Sequence, residues 1–512
     1  MTDILLTTLN ARYIHTAFGL RYLKSNLLEL KDSCEIQEYT IQQDPGEIVA
    51  AVIATAPKIL GVGVYIWNVS QVKAVLERIK VLRPEIQIVL GGPEISYAKE
   101  EHPLKALADY IITGEGEVSF YHLAKKLLKG QKPLLRVIAG EQPDVTTMAL
   151  PYSLYNSEDL KNRILYVEAS RGCPFKCEFC LSSLDQKVRA FDLDLFLKDM
   201  DALWQQGARQ FKFVDRTFNL SAKTCTTILS FFHERLDADT FLHFEMIPDR
   251  LPEAVKGWIQ RFPPGAIQFE IGIQTLNPEV AARISRKQDY EKTRTNFRFL
   301  TEETGVHIHA DLILGLPGET IDSIENGFNE LLAMNPHEIQ VGILKRLPGT
   351  PIDRHSAEFE MVFNPSTPYE ILQNNTLSFE TVQRLKHFAR YFDAFINSGH
   401  FKNTWLWFCE QTSTFATWLH FCDWLYNKTG QTHKLSMTNR AQYLFEFLTQ
   451  ARQQDAQRAQ GMIEKDLVRN KHKGRPQFNK KAAELQTQKK ATSGSQRQQR
   501  HQTFTTRAQP AG

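Results

Sequence analysis

Short apolar runs alternate with amphipathic, helix-length stretches through most of this chain, and they do so in two series. The first series predicts strands at 4–9, 35–40, 59–64, 87–90 and 110–113, with helices at 18–30, 46–54, 70–82 and 118–128. Strands and helices alternating at this spacing indicate a parallel, doubly wound sheet, whose ligands sit beyond the carboxyl ends of the strands. Residues 131–162 carry Pro133, Pro143 and Pro151 and few periodic apolars, the composition of an extended linker. The alternation then resumes with strands at 163–168, 210–214, 242–246, 266–272, 307–314 and 338–343, and helices such as 193–204 and 222–236 between them. The fold class is therefore α/β. The expected division is an N-terminal sheet domain at 1–132, a linker at 133–162, a second βα domain at 163–350, a helical region at 351–450 and a basic, disordered tail at 451–512.

The strand at 163–168 runs into Arg171-Gly172-Cys173-Pro174-Phe175-Lys176-Cys177-Glu178-Phe179-Cys180. Gly172 and Pro174 force a loop here, and three of the seven cysteines fall on it with C-x3-C-x2-C spacing. A loop at a strand's end can aim three thiolates at one point, and thiolates hold iron–sulfur clusters. The next cysteine, Cys225, is 45 residues away, so one iron of a cubane would keep an open position. Spacing alone also allows a zinc knuckle or three free cysteines, although zinc sites normally take four ligands from two separated pairs.

This pattern resembles the radical S-adenosylmethionine (SAM) superfamily, whose C-x3-C-x2-C loop binds a 4Fe-4S cluster through the residues matching Cys173, Cys177 and Cys180. The resemblance implies a partial (β/α)6 barrel, a cluster whose open iron is chelated by SAM, and cleavage to methionine and a 5′-deoxyadenosyl radical. It places Phe179 with the SAM site. Asp215, after the second barrel strand, matches by place and charge the segment that meets the methionyl amino group. Glu270-Ile271-Gly272-Ile273-Gln274-Thr275 is similar to the family's E-x-G-x-Q-[ST] strand, which puts Glu270 and Gln274 near the ribose and methionine. Arg283, Arg286 and Lys287 follow on the next helix, and a charged fork such as Arg286 suits the methionyl carboxylate. Asp311 lies in the string expected beside the adenine. A one-electron donor such as flavodoxin or ferredoxin is implied as partner.

In the first series, glycines fall at the strand ends, as Gly61-Val62-Gly63-Val64-Tyr65, Gly91-Gly92-Pro93 and Gly114-Glu115-Gly116-Glu117. Glycine there lets a bulky ligand approach the backbone, and no G-x-G-x-x-G dinucleotide fingerprint is present. The arrangement resembles the cobalamin-binding domain that precedes many radical SAM cores. It implies a cobalamin site at Tyr65, Gly91, Gly92, Gly114, Glu115 and Gly116. The Asp-x-His-x-x-Gly string that supplies a lower cobalt ligand is missing. His15 sits at a similar place after the first strand but lacks an aspartate partner to orient it. Cobalamin would open methyl transfer, ring formation or rearrangement, and the residues select neither among these nor among substrates.

Composition narrows the setting. Seven cysteines, clustered rather than spread, argue for a reducing compartment and metal chemistry. No run of 18 apolar residues occurs, and the start lacks the basic segment and cleavage site of a signal peptide. The expected location is the cytoplasm, with no membrane span. Residues 451–512 hold fourteen Lys/Arg against four Asp/Glu in a chain whose net charge is only +3. Such a segment reads as solvated and disordered, and less readily as an arm for nucleic acid, since only Phe478 and Phe504 interleave. An RNA-modifying radical SAM enzyme of the methylthiotransferase kind is one alternative. Relatives of that kind carry a second cluster on three N-terminal cysteines, where this chain has only Cys34. A non-catalytic cobalamin or redox sensor is another, and it leaves the acids at the barrel ends without purpose.

Overall fold

The computed structural model describes residues 2–409 and 413–470, together with Pro476 and Phe478. They fall into two compact units, one holding residues through Asp393 with Ser413–Leu419, the other the described residues of Ala394–Thr412 and from His420 on.

The first unit begins with a parallel sheet of β1 (Ile4–Asn10), β2 (Cys34–Thr40), β3 (Ile59–Gly63), β4 (Gln87–Gly91), β5 (Tyr110–Thr113) and β6 (Val137–Ala139), in spatial order β2-β1-β3-β4-β5-β6. Its helices are α1 (Phe18–Ser25), α2 (Pro45–Thr55), α3 (Val69–Leu82), α4 (Pro93–Ser96) and α5 (Glu117–Leu128). Strand β1 is buried along its whole length and feeds two cores. Leu5, Leu60 and Ile88 pack under Val52, Leu76 and Ile79 of α2 and α3 on one face. Ile4, Leu6 and Val89 pack under Leu20, Phe120 and Leu123 of α1 and α5 on the other. Strand order reverses between β1 and β3, and a crevice opens at such a switch point.

The expected linker is more structured than its prolines suggest. Val137–Ala139 adds the sixth strand, pairing Ile111 with Val137, and α6 (Ser157–Asn162) starts with a capping box between Asn156 and Asp159. A three-residue strand is too short to carry a periodic signal, which is why composition alone misread it. This segment is also held by charge. Arg21, 4% exposed, donates to Glu38 Oε1 at 2.6 Å and Asp159 Oδ2 at 2.7 Å. Arg163 meets Glu38 Oε2 at 2.8 Å and Asp159 Oδ1 at 2.9 Å.

A second parallel sheet follows: β7 (Leu165–Val167), then, after the hairpin of β8 (Ser170–Arg171) and β9 (Arg189–Ala190), β10 (Gln210–Phe213), β11 (Phe241–Met246), β12 (Ile267–Gln274), β13 (His307–Leu314) and β14 (Glu338–Ile343). Helices α7 (Leu193–Gln205), α8 (Ala222–His233), α9 (Glu253–Ile259), α10 (Pro278–Arg283), α11 (Tyr290–Glu302) and α12 (Ile321–Ala333) connect the strands. The order is β14-β13-β12-β11-β10-β7, and β7 does not pair with β14, so the barrel stays open. On β12 and β13 residues alternate strictly between buried and half-buried. The buried set packs the helices, and the polar set, including Glu270, Gln274 and Asp311, faces the lumen.

The region expected to be helical from 351 first forms a short antiparallel pair, β15 (Val362–Phe363) and β16 (Ile371–Gln373), before α13 (Phe379–Phe392). In the second unit, α14 (Lys402–Cys409), the end of α15 (Thr414–Thr429) and α16 (Met437–Glu446) are joined by α17 (Ala456–Arg469). Helix α17 corrects the expectation that order ends at 450. Its Ala459, Ile463 and Leu467, spaced by four, bury one stripe. Its fully buried Asp466 accepts from Thr404 N at 2.9 Å and Thr404 Oγ1 at 2.7 Å, capping the start of α14. Nearly all of the remaining basic segment, and with it the expectation about nucleic acid, lies outside the described residues. Among the described residues no helix is long and apolar enough to cross a membrane.

Removing the Arg21 guanidinium leaves two buried carboxylates to share Arg163. Arg21→Ala is expected to cost about 3 kcal/mol, read as a lower urea midpoint, with Arg21→Lys intermediate.

Candidate active site

Cys173 and Cys177 are buried, Cys180 is half-buried, and all three are free thiols. They line one cavity of about 150 Å³ at the C-terminal ends of the second sheet. The loop that carries them is pinned at several points. Gly172 has φ +88°, and a Cβ there would collide with the Lys187 carbonyl, so only glycine fits. Cys173 N donates to Asp185 O at 2.8 Å. Glu178, 3% exposed, accepts from Ser285 Oγ at 2.6 Å, is bonded to His355 Nε2 at 2.7 Å and pairs with Arg354. Burial is the chief reason the Cys173 thiol is pushed up.

Phe179, Glu270, Gln274, Arg286 and Asp311 line the same cavity. Arg286 donates to Cys177 Sγ at 3.4 Å and to the Gly272 carbonyl. Gln274 has φ +71° where the β12 register shifts, a backbone conformation that non-glycine residues rarely keep without cause. Glu270 stands 3.0 Å from His243 Nε2, which, with Lys212 at 3.6 Å, overcomes burial and holds its carboxyl at about 2. Asp311 behaves oppositely. Burial, then Glu270 and Glu245, push its carboxyl well up, and its Oδ1 is cut off from solvent with no hydrogen-bond partner.

Asp215 does not line this cavity. Its side chain turns inward, where Oδ1 accepts from Ser170 Oγ at 2.6 Å and Oδ2 from Ala169 N at 2.9 Å. Burial pushes its carboxyl up to about 7, against those hydrogen bonds. The exposed residue beside it, Arg216, reaches the lumen instead.

A second cavity, about 470 Å³, opens over the glycine ends of β3, β4 and β5. Tyr65, Gly91, Gly92, Gly114, Glu115 and Gly116 all line it. Gly92 has φ +105°, and a Cβ there would stand 2.6 Å from Val64 O. His15 is absent from the wall. Its Nδ1 is bonded to the Tyr166 hydroxyl at 2.8 Å, and its backbone bridges to Ile164 beside β7. Arg171, Ser182 and Arg216 close the opposite wall, and Ser182 and Arg216 also line the cysteine cavity. Arg171 is gripped by three carboxylates, Glu115 at 2.9 Å, Glu117 at 2.8 Å and Glu168 at 2.9 Å. Burial would raise Glu115, but Arg189 and Arg171 outweigh it and hold its carboxyl low.

Residues 4–124 match the family described as B12 binding domain, and 167–331 match the radical SAM superfamily. The chain joins a B12-binding domain to a radical SAM domain. Residues 357–510 match a third family, described as a protein of unknown function, DUF4080. The chain is 23% identical over 406 residues to an uncharacterized methyltransferase, PH0819, of Pyrococcus horikoshii, covering 72% of this chain and 83% of that one. It is 24% identical over 433 residues to the cobalamin-dependent radical SAM methyltransferase TokK of Streptomyces tokunonensis, covering 70% of this chain but only 62% of TokK. The fold is similar to that of the radical SAM methyltransferase TsrM of Kitasatospora setae, solved with cobalamin and a [4Fe-4S] cluster bound. That match has a TM-score of 0.58 and 17% identity, covering 72% of this chain and 82% of TsrM.

The donor sets suit both cofactors. In the radical SAM domain three thiols, and among the described residues no fourth, line one cavity, and the orphaned Asp311 oxygen belongs to the same wall. In the B12-binding domain three glycine loops leave backbone exposed to a broad cavity. Sequence reasoning missed Arg171, Glu178 and Arg216, whose importance comes from long-range partners that no local pattern announces.

The Asp215 carboxyl, raised from its ordinary 3.8 to about 7, favours folding when protonated. Stability relative to Asp215→Asn is expected to be highest below pH 4, to fall by roughly 4 kcal/mol as pH rises to about 7, and to be flat above. Urea titrations of cluster-free protein across that window would read it, and a rise with pH would contradict a buried, protonated Asp215.

Proposed function

We propose that this protein is a cobalamin-dependent radical SAM enzyme that methylates a substrate still to be identified. The shared wall carries this reading: Ser182 and Arg216 belong to both cavities, so groups held in one stand next to groups held in the other. Methyl transfer is favoured over ring formation or rearrangement because PH0819 and TokK are named as methyltransferases.

When bound, the cluster supplies the electron that splits SAM, and cobalamin carries the methyl group. Cys173, Cys177 and Cys180 are the proposed cluster ligands, and Arg286 orients the Cys177 sulfur by donating to it. Gln274 and Glu270 orient the SAM methionine and ribose, Asp311 offers its unpartnered oxygen to the nucleoside side, and Phe179 covers the cluster. Asp215 serves as a positioning residue beneath Ala169 and Ser170. Tyr65 and the loops at Gly91, Gly92, Gly114 and Gly116 cradle the corrinoid. Glu115 would act through Arg171 and Arg189, and His15, bonded to Tyr166 and absent from the cavity wall, is not among the residues that would hold the corrinoid. A flavodoxin- or ferredoxin-class protein in the cytoplasm is the proposed electron source.

Anaerobic protein supplied with cobalamin should show cluster and corrinoid absorption, and should form 5′-deoxyadenosine when dithionite and SAM are added. Cys177→Ala should lose cluster and product together while keeping corrinoid. Gly92→Val should lose corrinoid and keep the cluster. A cluster without corrinoid in the unaltered protein would overturn the cobalamin half of the proposal, and absence of iron would overturn the whole.

A further inference from the structure

Below the cysteine cavity, the lumen face of the radical SAM sheet holds a histidine pair that the proposed reaction does not use. His307 and His309 alternate on β13 with Ala310 and Ile308, which are buried, so both imidazoles share the Asp311 face. Glu338 begins β14, the edge strand, in register with His309. One carboxylate oxygen, Glu338 Oε1, stands 3.3 Å from His307 Nε2 and 3.2 Å from His309 Nε2. The three ligand atoms all lie within 4.8 Å of one another. Ligands about 2.0–2.1 Å from a tetrahedral zinc are roughly 3.3–3.4 Å apart, so two edges of such a tetrahedron are already set.

The hydrogen bonding leaves one ligand atom of this group without a partner. His309 Nε2 is cut off from solvent and makes no hydrogen bond despite its nearness to Glu338. A buried polar atom in that state is rare and costs stability. The other nitrogen, His309 Nδ1, is 3.3 Å from the side-chain amides of both Gln268 and Gln340. Rotating either amide presents its oxygen to an Nδ1–H, which fixes the tautomer that frees Nε2 to ligate. His307 is 37% exposed and Glu338 26% exposed at their side chains, which gives an ion a route in from solvent.

We infer that His307, His309 and Glu338 bind one divalent ion of the zinc class, with water as fourth ligand, and that the ion pins edge strand β14 to β13. At about 3.3 Å per residue, the ligands lie roughly 7–13 Å along β13 from the Asp311 layer. This ion is thus separate from the cluster.

The test uses the full chain with its cluster reconstituted, so that the cysteines are occupied, and adds Zn²⁺ or Co²⁺ as probe. One extra ion per chain is expected by elemental analysis, with tetrahedral cobalt absorption and a thermal midpoint that rises with zinc. Glu338→Gln, nearly isosteric, and His309→Ala should weaken uptake about tenfold or more and lose the thermal shift. Cys177→Ala should retain both. Should His309→Ala fail to fold, Cu²⁺ electron paramagnetic resonance on the unaltered chain reads the same site through hyperfine coupling to two imidazole nitrogens. Absence of uptake, uptake unchanged in Glu338→Gln, or uptake lost only in Cys177→Ala would overturn the site.

Discussion

Arg171 is the point on which the two domains and the cysteine loop are jointly hung. Its guanidinium, charged at any accessible pH, sits among Glu115 and Glu117 of the B12-binding domain and Glu168 at the end of β7. Its backbone begins the turn that places Cys173 two residues later. Three carboxylates around one fork, Glu117 and Glu168 buried and Glu115 partly so, would repel one another without it, and the fork would be a stranded charge without them. The sheet that offers glycine loops and the sheet that offers thiols are therefore held at one spacing, and that spacing makes Ser182 and Arg216 common to both cavities.

The lumen shows a second principle, the separation of like groups by environment. Glu270 and Asp311 occupy neighbouring strands one layer apart, yet His243 and Lys212 hold the first carboxyl low while burial pushes the second well up. Two carboxyls shifted in opposite directions thus line the same small cavity.

Much of this was legible from residue order. Apolar runs of period two and amphipathic stretches of period 3.6 located both sheets, helped where a strand end coincided with glycine, proline or a charged cluster. The cysteines declared themselves by spacing, and Glu270 and Gln274 by lying on the polar side of an alternating strand. The misreadings share a cause. Asp215 has the right position and charge, but its direction depends on Ala169 and Ser170, which sit on another strand. His15 follows the first strand as a lower ligand would, yet Tyr166, 151 residues away, takes its ring nitrogen. Val137–Ala139 was hidden by its shortness and α17 by its polar composition, because a three-residue edge or a single buried stripe adds little to any average. Side-chain direction and long-range pairing are tertiary facts, and local pattern carries them weakly.

The ion network around Arg21 bears on how such a chain is made. Arg21 and Glu38 leave the ribosome early, whereas Asp159 and Arg163 emerge more than 120 residues later. Until then, a nascent first sheet carries a charged pair that lacks its two later partners, and until β6 emerges its edge at β5 is open as well. The domain that is first in the chain is consequently not first to be finished. Its completion waits on the stretch that introduces the second sheet, so the two domains mature during synthesis as one assembly line rather than as independent beads.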